Sequence, residues 1–300
     1  MNMSAQKNET MLELSSRFIR AKRPCSSGYR WFMRHFETKA DYQALLDALV
    51  DAGRVNDALW LLDQFGPTDA LMHVDMLEAD ALVFAGSVRV RGNVAIGTVL
   101  CTGGTLTVGG GVSAGESIQV GADLQAERGV RCGGTLCATG DIKAGWGIDA
   151  GGDIRCGSTL RAGWSVQARG EVMVQGHLQA ARDIQAGRRI VARGIRAGGA
   201  VTSGADIRSG TGIDAGSHVV SHGHLEADWG IRTGGCMTAS GAIRAGESLQ
   251  AKGAIQAGDG YGIFAGLHVA VDYWEANATV RAVEKPARLL SGWWAGAAAF

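Results

Sequence analysis

Proline is nearly missing from this chain, with three residues in 300, and aromatic residues make up only 6%. The 46 glycines beside so little proline would fit a collagen-like or flexible segment only if the intervening residues lacked order, and they do not. Charge of one sign is also missing. The 29 basic and 29 acidic side chains cancel, so no global field draws the chain to nucleic acid or to an anionic membrane. No apolar run approaches the roughly 18 residues that span a bilayer, and the first thirty residues lack the apolar core of a secretory signal. The expectation is a cytoplasmic protein with neither a nucleic-acid nor a membrane partner. There is no CxxC among the six cysteines, which read as reduced structural thiols. Cys132 and Cys156 fall at small inward positions. Cys101 and Cys137 fall one residue after a large aliphatic, 36 residues apart and too far for an easy disulfide.

What the chain does have is a large aliphatic residue at every sixth position. It runs from Leu82, Val88 and Val94 through Ile142, Ile148, Ile154, Leu160 and Val166 to Ile190. One residue drops out, and the period resumes at Ile195 and continues to Ile255. Two positions after most of these aliphatics stands a small residue, then a glycine-bearing turn. Six residues fit no helix and no long strand, but they fit three-residue strands separated by tight corners. The aliphatic and the small residue point to one side because side chains alternate along a strand. So short a strand cannot bury its own face, so the units must wind into stacked coils. The fold class predicted is all-β: a triangular β-solenoid, or β-helix, of hexad repeats, three per coil. About ten coils stacked at roughly 4.8 Å would make a rod about 50 Å long.

The flanks break the period. Residues 1–27 are polar and read as a mobile segment, with an amphipathic helix over Met11–Arg23. Residues 28–72 read as a helical hairpin. Its first helix is capped by Asp41 and stopped by Gly53, with Leu45, Leu46, Leu49 and Val50 on one face. Its second, Asp57 to Gln64, is capped by Asn56, carries Leu59, Trp60, Leu61 and Leu62, and ends at Gly66-Pro67. The hairpin is expected to cover the first coil, since an open solenoid end exposes core and unpaired strand edges. Met76, six before Leu82, is expected to start the solenoid, which occupies 73–271. Gly258-Asp-Gly-Tyr-Gly interrupts the period, Ile263 and Val269 make a partial coil, and 272–300, with Trp274, Pro286, Trp293 and Trp294, forms a C-terminal cap.

Candidate chemistry is sparse. His218, His222 and His224 are close in sequence and are the only candidate metal ligands. With His177 far along the rod and no fourth ligand, they are expected to be exposed corner residues. Three histidines on a hexad solenoid also suggest carbonic-anhydrase-type enzymes. Hexapeptide acyltransferases place the small residue two before the aliphatic rather than two after, and their long excursion loop is missing between Leu82 and Ile255. Gly109-Gly110-Gly111 lacks the Gly-Lys-Ser/Thr of a phosphate loop. The expectation is therefore no enzyme, no cofactor and no metal.

The outward positions are more informative, because residues 18 apart should stack. One face reads Lys143, Arg161, Gln179, Arg196, Asp214, Arg232, Gln250. A second reads Arg155, Met173, Val191, Arg208, Glu226, Arg244. The third reads Asp149, Gln167, Gln185, Thr202, Val220, Thr238, Gln256, without a basic residue and without the flat Thr ladder of an antifreeze surface. Trp146 and Trp164 should neighbour each other at a corner, with Arg182 next in line for a cation–π contact. Trp146, Trp164, Arg182, Arg161, Arg196 and Arg232 make up the predicted binding surface, since exposed Trp and Arg mark hot spots.

The hexads from Leu82 to Ile255 resemble those of bactofilins, bacterial cytoskeletal proteins with a triangular β-solenoid core. That resemblance implies a scaffold assembling end to end, although the helical and Trp-rich flanks here replace disordered tails. The layout of Trp60-Leu-Leu-Asp, solenoid and Gly262-Ile-Phe-Ala-Gly also looks like solenoid immunity partners of bacterial toxins, implying a non-catalytic protein that blocks a toxin by surface complementarity. A protein-binding module of this second kind is the leading expectation. Self-association follows as its alternative, and an acyltransferase or anhydrase stands third.

Overall fold

The computed structural model describes residues 13–36 and 39–298. It is a parallel β-solenoid of about 12 turns carrying a small helical region at its N-terminal end. Three strands make each turn and three parallel ladders run along the rod: face A starts from Leu71–Val74, face C from Leu77–Ala79 and face B from Leu82–Phe84, so that the chain passes A, C and B in each turn. Val112 pairs with Val130, Leu124 with Ile142 and Leu136 with Ile154, an 18-residue register. Away from the helices a unit buries its aliphatic and its small residue and leaves the one between more open, as in Ile148–Ala150 and Leu160–Ala162, whereas the middle residues Val83 and Cys101 of the first two turns are buried. Where the inward small position is polar, a backbone carbonyl takes the hydroxyl proton: Ser209 Oγ donates to Gly212 O at 3.0 Å and Thr102 Oγ1 to Gly104 O at 3.1 Å.

The glycines serve the corners sterically. Positive φ among glycines occurs at Gly53, Gly66, Gly260, Gly266, Gly292 and Gly296, none of them inside the regular hexads. At Gly163 a Cβ would lie 1.9 Å from Gly145 O of the preceding turn. Close approach of stacked backbones, rather than left-handed backbone, excludes a side chain there.

The rod extends further at both ends than the hexads alone indicate. It begins at strand Leu71–Val74, and its second strand is Leu77–Ala79. Leu77 pairs with Val94, so it takes the inward register expected of Met76, which is 68% exposed. The first turn is shorter than the rest: Met72 pairs with Val88, 16 residues on, and this shifts the register by one. At the other end the expected cap over 272–300 is, in its described residues up to 298, continuous with the rod. After Ile263–Phe264 the chain makes an excursion through helix Trp274–Asn277. It then returns as Thr279–Arg281 on Leu249–Ala251 and as Leu289–Ser291 on the Ile263 strand. Val269 lies in that excursion, outside any strand.

The helical region is larger than a hairpin. Helices α1 (Ser16–Ala21), α2 (Ser26–His35), α3 (Tyr42–Asp51) and α4 (Val55–Phe65) share one core. Strand Glu13–Ser15 pairs antiparallel with Lys39–Asp41 and buries Leu14 completely. The segment expected to be mobile thus contributes to a core from residue 13 on, while residues 1–12 lie outside the described residues. The expected Met11–Arg23 helix is confined to Ser16–Ala21, capped by Ser15, whose hydroxyl accepts from Phe18 N. Asp41 caps α3 as predicted, accepting from Ala44 N at 2.8 Å. Asn56 does not cap α4, which starts one residue earlier with Arg54 at its N-cap.

These helices lie against the side of the rod more than over its end. Their core includes Val83, Ala85, Val99 and Cys101, outward residues of face B in the first two turns. Only strand Leu82–Phe84 has its free edge closed: Gln43 donates to Val83 O at 3.0 Å and accepts from Ala85 N at 2.9 Å, in place of a neighbouring strand. Among the described residues the outer edges of Leu71–Val74 and Leu77–Ala79 pair with no strand, and Met72, Val74 and Leu77 are only half-buried. Among the described residues no helix is long and apolar enough to cross a membrane.

Candidate binding ridge and grooves

The corner between faces A and C is flat over most of its length because glycine or serine occupies its tip, at Gly110, Gly199, Ser217 and Gly235. Over four successive turns it is not. Arg128, Trp146, Trp164 and Arg182 follow one another there, joined through backbone bonds from Trp146 N to Arg128 O, Trp164 N to Trp146 O and Arg182 N to Trp164 O. Trp146 is 56% and Trp164 59% exposed. The Arg182 guanidinium sits 5.3 Å from the Trp164 ring centre, as the 18-residue spacing predicts. Arg128 sits 5.6 Å from the Trp146 ring, a partner that sequence reasoning missed although it stands 18 residues before Trp146. The result is an Arg-Trp-Trp-Arg ridge. Beside it on face C runs an open groove of about 600 Å³, walled by the two indoles and floored by Gly111, Gly129 and Gly147.

The remaining predicted residues lie on face A and fall into two groups. Arg161 is in the same unit as Trp164, and its Nε donates to Gln179 Oε1 at 3.2 Å. Arg196 and Arg232 converge several turns away on Asp214. Arg232 grips it with two bonds of 3.0 and 2.8 Å, and Arg196 stands 3.7 Å off. That pairing holds the Arg232 guanidinium above its usual range, first through the hydrogen bond and then through the charge of Asp214. Face C carries Arg131 just ahead of Asp149, 3.5 Å from its carboxylate, so its run without basic residues starts only at Asp149.

The histidines do not converge. His218 is at the corner between faces A and C, whereas His222 and His224 are at the corner between C and B. Each ring is engaged by backbone: His218 Nδ1 accepts from Cys236 N at 2.9 Å, His224 Nδ1 from Ala242 N at 3.1 Å, and His222 Nδ1 lies 2.9 Å from Ser203 O. His218 and His224 thereby do what Asn93, Asp123, Asp141, Asp153 and Asp206 do on other turns, accepting the N–H of the residue one turn later. Among the described residues no three His, Cys, Asp or Glu side chains are grouped to hold a metal. All six cysteines are free. Burial pushes the Cys101 thiol up to about 12 and the Cys132 thiol up to about 11, leaving both as neutral packing groups.

The helical region encloses a cavity of about 210 Å³ between α1, α2, α3 and α4, lined by Tyr29, Trp31, Phe32 and Trp60, with Cys25 and Asp57 supplying its polar atoms. A family model described as YdhT N-terminal domain matches residues 11–66, the helical region and not the solenoid. No curated protein and no solved structure matches the chain.

Proposed function

We propose that this chain is a non-catalytic binding module whose protein partner docks over the Arg128-Trp146-Trp164-Arg182 ridge. The observation that carries this reading is two adjacent indoles, each more than half exposed and each flanked by a guanidinium, on a corner whose tip position is glycine or serine at Gly110, Gly199, Ser217 and Gly235. Tryptophan and arginine dominate hot spots because they bury large area with few rotatable bonds while keeping a polar handle. The groove beside the ridge offers a partner depth on one side. The likeness of the layout to solenoid immunity partners makes a bacterial toxin the partner class to test first. Affinity capture from cell extract, comparing the intact chain with the Trp146→Ala, Trp164→Ala, Arg182→Ala triple variant, tests the surface. A protein held by the intact chain and lost at least about tenfold by the variant supports it; equal retention by a folded variant refutes it.

A second reading is self-association in the manner of bactofilins, and one observation favours it. Two of the three strand edges in the first turn are unpaired, over half-buried Met72, Val74 and Leu77.

A further inference from the structure

The five-residue step from Ile190 to Ile195 breaks an otherwise regular period. Elsewhere three residues separate the small inward residue of face B from the first residue of face A, as Gly157, Ser158 and Thr159 do between Cys156 and Leu160. Between Ala192 and Ile195 there are two, Arg193 and Gly194. The corner is straightened here: Val172–Ala180 and Ile190–Ala197 each run as one strand across it, and the register slips so that His177 meets Gly194. A Cβ on Gly194 would lie 2.6 Å from His177 Nδ1 and 2.8 Å from Thr211 Oγ1, so the flanking turns close over a position that no side chain fills. The next turns then rise again through Thr211 to Trp229, which is 57% exposed, and to Glu247.

Beside the shortened step a groove of about 510 Å³ runs along face A from Gln179 to Gln250. Its charges cancel: Arg196 and Arg232, both directed at Asp214, line it together with Asp214 and Glu247. An anion entering it would meet two carboxylates, and a cation two guanidiniums. What remains available is an array of donors and acceptors. Gln179 and Gln250 each offer both, Ser248 offers a hydroxyl, Thr211 offers only an acceptor, because its hydroxyl donates to Arg193 O at 2.7 Å, and Gln179 keeps its amide donors because only its oxygen is engaged, by Arg161. Beside that array stands one exposed indole face. Gln179 and Gln250 are four turns apart, about 19 Å at the strand spacing, which suits a chain of several rings better than a single one.

We propose that this groove binds a neutral oligosaccharide, with the C–H face of one sugar ring on Trp229 and hydroxyls along the Gln179–Gln250 row. It lies on a different corner from the Trp146–Trp164 ridge and is independent of it. The test is isothermal titration of the full chain with cellotetraose, maltotetraose and tetra-N-acetylchitotetraose, with tetragalacturonate as the anionic counterpart. Saturable binding of at least one neutral tetrasaccharide is expected. Trp229→Ala should weaken it about tenfold and Arg196→Ala severalfold, while Trp146→Ala leaves it unchanged. All three side chains are exposed, so the variants are expected to fold, as circular dichroism would verify. No saturable binding of any neutral probe at millimolar concentration overturns the proposal. So does tighter binding of tetragalacturonate, or a Trp229→Ala variant that binds as well as the intact chain.

Discussion

At the scale of single residues, the solenoid is decided by what fits between turns. Gly163→Ala places a methyl carbon 1.9 Å from Gly145 O, a backbone atom that cannot swing aside. The expected loss is about 1–3 kcal/mol, read as a lower midpoint in chemical denaturation. Gly129→Ala is the matched control, because its Cβ would come no closer than 3.2 Å to Gly147 O, and its midpoint should move little. Identical midpoints for the two variants would refute the steric account. The alternation of buried and exposed residues was legible in the sequence at every hexad, since a three-residue strand leaves its side chains no other arrangement. The reason for the glycines was not, because the obstructing oxygen belongs to a residue 18 positions away.

The element that repeats is a strand plus its corner, and side-chain acceptors tie the corners together. Asp141 Oδ1 accepts from Thr159 N at 2.8 Å. Its carboxyl is held below the usual range, first by the Ser158 hydroxyl and then by that N–H. A carboxyl depressed in the folded state adds stability above its unfolded value of 3.8, and the contribution disappears as pH falls through the folded value. Asp141→Asn keeps an acceptor but not the charge, so it should lower stability at neutral pH slightly, by what the unaltered chain loses through this group on acidification, and flatten the acid limb. Asp141→Ala removes the acceptor and should cost at most about 1 kcal/mol at neutral pH, the N–H being accessible to water. Denaturation midpoints from pH 2 to 7 check both; an acid limb as steep in Asp141→Asn as in the unaltered chain would count against this assignment. Sequence reading took His218, His222 and His224 as candidate metal ligands because they are close in sequence. The corners place them on two edges of the rod; the ring nitrogens of His218 and His224 do the work of Asp141, and that of His222 faces Ser203 O.

For the whole molecule, the position of the helices decides how the ends behave. Removing residues 1–70 uncovers Val83, Ala85, Val99 and Cys101 on the side of the rod, together with one strand edge. Truncation should therefore give irregular aggregates that bind a hydrophobic dye, not ordered filaments; filaments would mean that the helices act as an end plug. Among the described residues two strand edges of the first turn already stand unpaired. In size-exclusion chromatography with light scattering, the mass of the intact chain should rise with concentration if the self-association reading holds, and a fixed small mass throughout would exclude that reading.

From the sequence alone came the inward file of aliphatics, the three faces, the neighbouring of Trp146, Trp164 and Arg182, and the break at Ile190. All of these follow from position within a fixed period, so local spacing is enough to place them. Tertiary structure decided what the period does not encode. Leu77 rather than Met76 enters the core because the first turn is shorter, and residues 279–291 rejoin the rod after an excursion of their own. The helices rest on face B because its first outward residues are apolar. Likewise only the fold shows why glycine stands before Ile195: His177 and Thr211, from the turns on either side, close over Gly194 and leave a Cβ no room.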